Sequence, residues 1–311
     1  MDEGRSAHAA GAASIIVSAD DLGLSRGITD GILDAVDNGC VTSTSIVANG
    51  TAFEYAIEQY LVRPGLGLTV HLNLMEGRPL SRADGVDLLV DRKGRFCRSF
   101  PSLLLGYARA GDELRRRMHD QVKVEMRAQI LRVSRRLGQE TGLRVDGHQH
   151  YHMIPFVFDA LMELNEEFRF SYVRLLDEPF FLLDGRALSV RNHLGPNLLK
   201  HLLLKALAAR ARRILRARDI AHCHRFVGLL FSGNMTERSV RSALGRIRRR
   251  DRDELVELLL HPGQAAAGEE DLWAGRPELA AYYYSAQRER ERDTLKSAGF
   301  RSTVGFDDPA R

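Results

Sequence analysis

Ser14-Ile15-Ile16-Val17-Ser18-Ala19-Asp20-Asp21-Leu22-Gly23 is the stretch on which the reading of the fold turns. An apolar, β-branched run leads straight into two adjacent carboxylates and a glycine, so the pair emerges where a buried strand stops. Three later strand-like runs end in histidine. Leu68-Thr69-Val70 leads to His71, Leu143-Arg144-Val145-Asp146-Gly147 to His148, and Leu255-Val256-Glu257-Leu258-Leu259-Leu260 to His261. Reactive side chains at the C-terminal ends of successive strands are the arrangement of an α/β barrel active site.

Composition agrees with an enzyme of that class. Of the 311 residues 44% are hydrophobic, enough for a sizeable core, and the 45 basic residues nearly balance the 41 acidic ones to a net charge of +4. The arginines have no interleaved aromatics on a strand face, so no nucleic-acid partner is expected. Cys40, Cys97 and Cys223 form no CxxC pair and no even set, which fits a reducing compartment and a cytoplasmic location. The opening Met1-Asp2-Glu3-Gly4-Arg5 is unlike a signal peptide, and residues 1–13 read as a flexible N-terminus ahead of one barrel domain over 14–311.

Strand-like runs near 14–19, 41–48, 66–73, 142–148, 171–176, 225–231, 254–261 and 301–306 alternate with helical patterns and predict a parallel sheet. Ile28, Ile32, Leu33 and Val36 mark a helix stopping at Asn38-Gly39. Residues 76–100 interrupt the rhythm with Gly77, Pro79, Gly85 and a hairpin-like Val90-to-Phe96, an insertion suited to a lid or substrate wall. Residues 112–138 read as one long charged helix. Residues 197–218 read as a basic amphipathic helical segment that either packs its leucines inward or lies on an anionic membrane at the inner face.

Asp21, His71 and His148 supply one oxygen and two nitrogens, a facial set able to hold a divalent ion and leave positions open. Such an ion acidifies water and polarises a carbonyl, with Asp20 as the base and His261 as acid or electrophile. Each residue has a blander reading, since Asp-Asp-Gly often opens a helix; their joint placement on strand ends favours function. In Asp146-Gly147-His148-Gln149-His150-Tyr151-His152, period two would put Asp146, His148, His150 and His152 on one face if the strand continues. Spacing alone leaves open which histidine is the ligand. His222-Cys223-His224 has too few ligands for a second site.

These strings together resemble the YdjC-like carbohydrate deacetylases, which include chitooligosaccharide and hopanoid-biosynthesis deacetylases. The matching pieces are Ala19-Asp20-Asp21-Leu22-Gly23-Leu24-Ser25, Val41-Thr42-Ser43-Thr44-Ser45, His71-Leu72-Asn73-Leu74 with Gly77-Arg78-Pro79-Leu80, the Asp146-to-Met153 string, and His261-Pro262-Gly263. The resemblance implies a distorted, incomplete TIM-like (β/α) barrel related to polysaccharide deacetylases. It implies Asp21, His71 and His148 as metal ligands, Asp20 as base, His261 as acid or oxyanion partner, and Arg174 as the residue that orients Asp20. Asn73, His150, Tyr151 and His152 are expected at the substrate. Ligand chemistry favours Zn²⁺ or another transition ion, whereas the family implies Mg²⁺.

The expected reaction is therefore removal of acetate from an N-acetylated amino sugar, either an oligosaccharide or a glycolipid linked to a hopanoid. The texture of Phe226-to-Met235 leans toward the hopanoid branch. Trp273 and Tyr282-Tyr283-Tyr284 suit helix packing or a homodimer contact, with sugar stacking as the other reading. Two alternatives stand beside this one. A glycosidase would use Asp20 and Asp146, roughly 5–9.5 Å apart, and leave the histidines unexplained. An inactive sugar- or membrane-binding barrel would have no use for an intact Asp20, Asp21, His71, His148 and His261.

Overall fold

The computed structural model describes residues 14–186, 193–248 and 254–306, apart from 265, 267, 270, 271, 274 and 275. The expected flexible N-terminus over 1–13 lies outside the described residues. Seven parallel strands form one curled sheet: β1 (Ile15–Leu22), β2 (Ser43–Ile46), β3 (Gly67–Leu72), β4 (Arg144–Gly147), β5 (Tyr172–Val173), β6 (Arg225–Val227) and β7 (Val256–Leu260). Their order is β5-β4-β3-β2-β1-β7-β6, with β1 paired to β2 on one side and β7 on the other. The sheet curls far enough that its edges touch, through a single parallel bridge between Tyr172 and Ala221 and a hydrogen bond from Phe226 N to the Asp177 carbonyl. The architecture is an α/β half-barrel, consistent with an incomplete TIM-like barrel.

The helices cover the outer face. α1 (Arg26–Asp37) starts where the Ser25 hydroxyl accepts from Ile28 N, and α2 (Phe53–Leu61) follows β2. Gly31 on α1 is there for contact: a Cβ would lie 2.7 Å from Gly263 Cα, so only glycine lets the helix press against the loop that carries His261. α3 (Phe100–Arg109), the long α4 (Asp112–Leu137) and α5 (Pro155–Phe168) come next; α6 (Pro196–Ala217), α7 (Glu237–Arg248), α8 (Pro277–Tyr283), α9 (Ala286–Lys296) and α10 (Ala298–Val304) complete the chain.

The 76–100 insertion is tied down to α4. Glu125 accepts from the Leu80 and Ser81 backbone, Gln121 from Leu88, and Val86, Leu89 and Phe96 are buried. Val90 and Phe96 pair as the hairpin-like string suggests. The strand expected at 301–306 is instead α10. Ser297 caps it by accepting from Phe300 N, Phe300 and Val304 bury one turn apart, and Gly305 closes it at φ 68°. Two apolar residues four apart fit a helical stripe, which the alternation reading overlooked.

Candidate active site

The strand ends build the site. Pairing shifts register between Ala19 and Leu22, and Asp21 takes a left-handed φ of 80°, so the neighbouring carboxylates of Asp20 and Asp21 diverge at the end of β1. His71 on β3 pairs in register with Asp146 on β4. β4 stops at Gly147; Gln149 and His150 then turn left-handed, at φ 50° and 67°, within a tight turn over His148–Met153. The expected period-two face over Asp146, His148, His150 and His152 therefore does not form, because these two residues break the extended backbone that period two requires.

Asp21, His71 and His148 are brought together, with one ligand atom from each lying within 4.8 Å of the others. Asp21 Oδ1 stands 3.6 Å from His71 Nε2 and 2.9 Å from His148 Nδ1, is buried, and makes no hydrogen bond. An orphaned carboxylate oxygen facing two imidazole nitrogens fits a divalent cation, since burial without a partner is costly.

Each imidazole is backed by a carboxylate. His71 Nδ1 donates to Asp146 Oδ1 at 2.6 Å, and His148 Nε2 lies 2.9 Å from Glu76 Oε1. This carboxylate–histidine pairing aims the other nitrogen at the ion and makes it more basic. Burial alone would lower the His71 pKa, but Asp146 and Asp20 outweigh it and push it up to about 10. His148 is raised in the same way, by Asp21 and Glu76 against burial. Asp21, although buried, is held well below the usual carboxylate range by Arg288 and His148.

Arg174, just past β5, is fully buried. It grips both oxygens of Asp20, at 2.6 and 2.9 Å, reaches Asp146 Oδ2 at 2.6 Å, and donates from Nε to Glu257 at 2.9 Å. A fork-to-fork pair holds a carboxylate in one orientation. Asp146 is spent on His71, Ser45 and Arg174 and is wholly buried, so no sugar bond fits between it and Asp20.

The narrow pocket over this centre is lined by Asp20, His71, His148, Gln149, His150, Lys200, Ser232, His261 and Tyr282. His261 follows β7, the strand paired beside β1, so it stands next to Asp20, with its backbone N–H donating to Glu291 Oε2 at 2.7 Å. Burial lowers its pKa to about 4, Arg288 and Lys200 adding to the effect and Asp21 opposing it, so the imidazole is neutral near pH 7. Of the four expected substrate contacts only His150 lines the pocket. Asn73 is buried in its own turn, accepting from Met75 N and Glu76 N. The Tyr151 hydroxyl donates to the Arg98 carbonyl at 2.7 Å, and His152 Nε2 meets the Arg174 carbonyl at 3.1 Å. These three brace the loops behind the pocket.

Several site residues carry no signal in the linear pattern. Glu76 is a lone carboxylate after an apolar stretch, and it collects Trp273 Nε1 at 2.6 Å and the Tyr283 hydroxyl besides His148. Trp273 and Tyr283 stack on each other with centroids 4.5 Å apart inside the protein. Arg288 lies in a run of alternating charges on α9, donates to Asp21 Oδ2 at 2.6 Å, and is buried. Lys200 comes from the first turns of α6, where its ammonium donates to Gln149 Oε1 at 3.3 Å. His222, Cys223 and His224 gather no further ligand among the described residues: Cys223 Sγ meets the Leu175 carbonyl and His224 Nδ1 accepts from Leu255 N.

A family model described as YdjC-like protein matches residues 14–305. Curated proteins named carbohydrate deacetylase are similar over about half of the chain: one from Oceanobacillus iheyensis is 37% identical over 155 residues, 49% of this chain and 60% of that protein. One from Geobacillus stearothermophilus is 38% identical over 154 residues, 50% of this chain and 56% of that protein. The matches thus span less than two thirds of these relatives. Among solved structures, one from Enterococcus faecalis V583, named for a proposed cleavage of cellobiose-phosphate, superimposes with a TM-score of 0.65 at 18% identity, covering 95% of both chains.

Proposed function

The chain belongs to the YdjC-like family, and on that premise we propose that it hydrolyses the acetamide of an N-acetylated amino sugar with the aid of one divalent ion. The observation that carries this reading is the convergence of Asp21 Oδ1, His71 Nε2 and His148 Nδ1 beside an Asp20 held at both oxygens. The names of the relatives, carbohydrate deacetylase, point to the same chemistry.

Asp21, His71 and His148 would hold the ion. When bound, it would polarise the amide carbonyl and make a water acidic at neutral pH. Asp20 takes the proton from the attacking water, and Arg174 keeps that carboxylate pointed into the pocket. His261, as a neutral imidazole, hydrogen-bonds the developing oxyanion and, as the C–N bond breaks, passes on to the departing amine the proton that Asp20 took from the water. His150 and Tyr282 form the wall against the sugar. Two imidazoles and a carboxylate favour Zn²⁺ or another transition ion over Mg²⁺. The half-barrel and its strand-end ligands support kinship in mechanism with polysaccharide deacetylases.

Acetate release from N-acetylglucosamine, diacetylchitobiose and an N-acetylglucosaminyl lipid, measured after chelation and after return of Zn²⁺, Co²⁺, Mn²⁺ or Mg²⁺, tests the reading. Acetate is expected only with an ion restored. A folded protein that takes up the ion yet frees no acetate from any of the three would overturn it.

A further inference from the structure

Lys200 reaches the pocket from the first turns of α6, and the outer side of those turns is uncovered. Leu199, Leu202 and Leu203 are 73%, 54% and 38% exposed, and Leu194, just ahead of the helix, is 71% exposed. At about 100° per residue, positions 199, 202, 203 and 206 share one face, continued by 210 and 213. Leu204, Ala208, Ala211 and Leu215 are buried on the opposite side. Phe180, exposed and with its ring 5.3 Å from His193 and 6.5 Å from His201, extends the apolar corner at the start of the helix. A packed outer helix accounts for the buried leucines; it leaves these exposed ones unexplained.

The charge of the helix has one sign. Residues 196–217 contain no aspartate or glutamate. Arg210 and Arg212 are engaged by Asp159 and Asp177 at 2.6 and 2.5 Å, whereas the exposed Arg213 and Arg216 make no ion pair with any described residue. A two-fold contact with another copy would bring two carboxylate-free helices together. An anionic bilayer answers both features at once, because it offers acyl chains to the leucines and phosphates to the arginines.

We propose that the outward face of α6, from Leu194 to Arg216, docks on an anionic lipid surface. The leucines seat at the boundary between headgroups and chains, and Arg213 and Arg216 rest against lipid phosphates. Since Lys200 on the same turns lines the pocket, docking sets the mouth of the site at headgroup level. This goes beyond the proposed reaction and does not depend on it.

The test is sedimentation of the full chain with phosphatidylcholine vesicles, with and without phosphatidylglycerol. Binding is expected to the anionic vesicles and to weaken with salt. Leu199→Ser/Leu202→Ser/Leu203→Ser should lower partitioning at least about tenfold, and Arg213→Glu/Arg216→Glu by a similar factor. The arginine pair carries the test if the serine variant melts early. Wild-type protein that stays in the supernatant, or variants that bind as wild type does, would overturn the proposal. So would a wild-type dimer in sedimentation velocity that the leucine substitutions turn into a monomer, which assigns the face to a second copy.

Discussion

Two buried arginines stand behind the adjacent aspartates, and they are partnered differently. Arg174 is saturated: it meets Asp20 twice, Asp146 and Glu257, and Glu257 is itself held by Ser18 and Tyr172. Arg288 ion-pairs with Asp21 Oδ2; its Nε and Nη1 have no hydrogen-bond partner among the described residues, and its guanidinium sits 4.7 and 4.6 Å from the rings of Tyr282 and Tyr283. One carboxylate is thus fixed at both oxygens and the other keeps Oδ1 open toward the two histidines. Neighbours in sequence are prepared for different work by what lies behind them.

The largest effect that would sharpen this division is Asp20→Asn. It should cost about 10²–10⁴ in turnover and leave metal affinity, read by calorimetry, nearly unchanged. Loss of the ion along with activity would break the distinction between the two aspartates.

Removing the arginines comes next. Arg174→Met strands buried carboxylates and should destabilise the fold by about 3–5 kcal/mol in urea unfolding. Arg288→Met strands one and should cost distinctly less stability. Equal losses would mean that the two settings are energetically alike.

Glu76→Gln should weaken metal binding about 10–100-fold by loosening His148, with turnover largely regained at saturating ion. An unaltered dissociation constant would show that Glu76 braces Trp273 and Tyr283 only.

The smallest effect concerns pH. His71 is raised in the folded state from 6.5 to about 10, so its contribution to stability is fully present below about pH 6.5 and lost as pH rises through 10. The melting temperature of the metal-free protein should therefore fall across that window. Metal affinity should climb over the same range, as binding displaces fewer protons from His71 and His148. A melting temperature that rises from pH 7 to 10 would contradict the His71–Asp146 pairing.

The parallel sheet was legible because a strand buried on both faces must be apolar throughout, as Ile15–Val17 and Leu258–Leu260 are. The last helix was misread as a strand because Phe300 and Val304 satisfy more than one period in so short a segment. Asp21, His71 and His148 could be named because each follows an apolar run at a strand end. Arg288 and Glu291 could not: they are buried on α9 at the spacing of a core stripe, yet they are charged, and hydrophobic periodicity passes over them.

By itself the sequence determined the α/β class, the strand-end residues and the family resemblance, since these rest on local period and short strings. The tertiary structure alone decided which nitrogen of each histidine faces Asp21, that Glu76 and Asp146 stand behind them, that Lys200 enters the pocket, and that Tyr151 and His152 turn away from it. Those outcomes depend on contacts between segments far apart in the chain and on two left-handed residues after β4, and local pattern encodes neither.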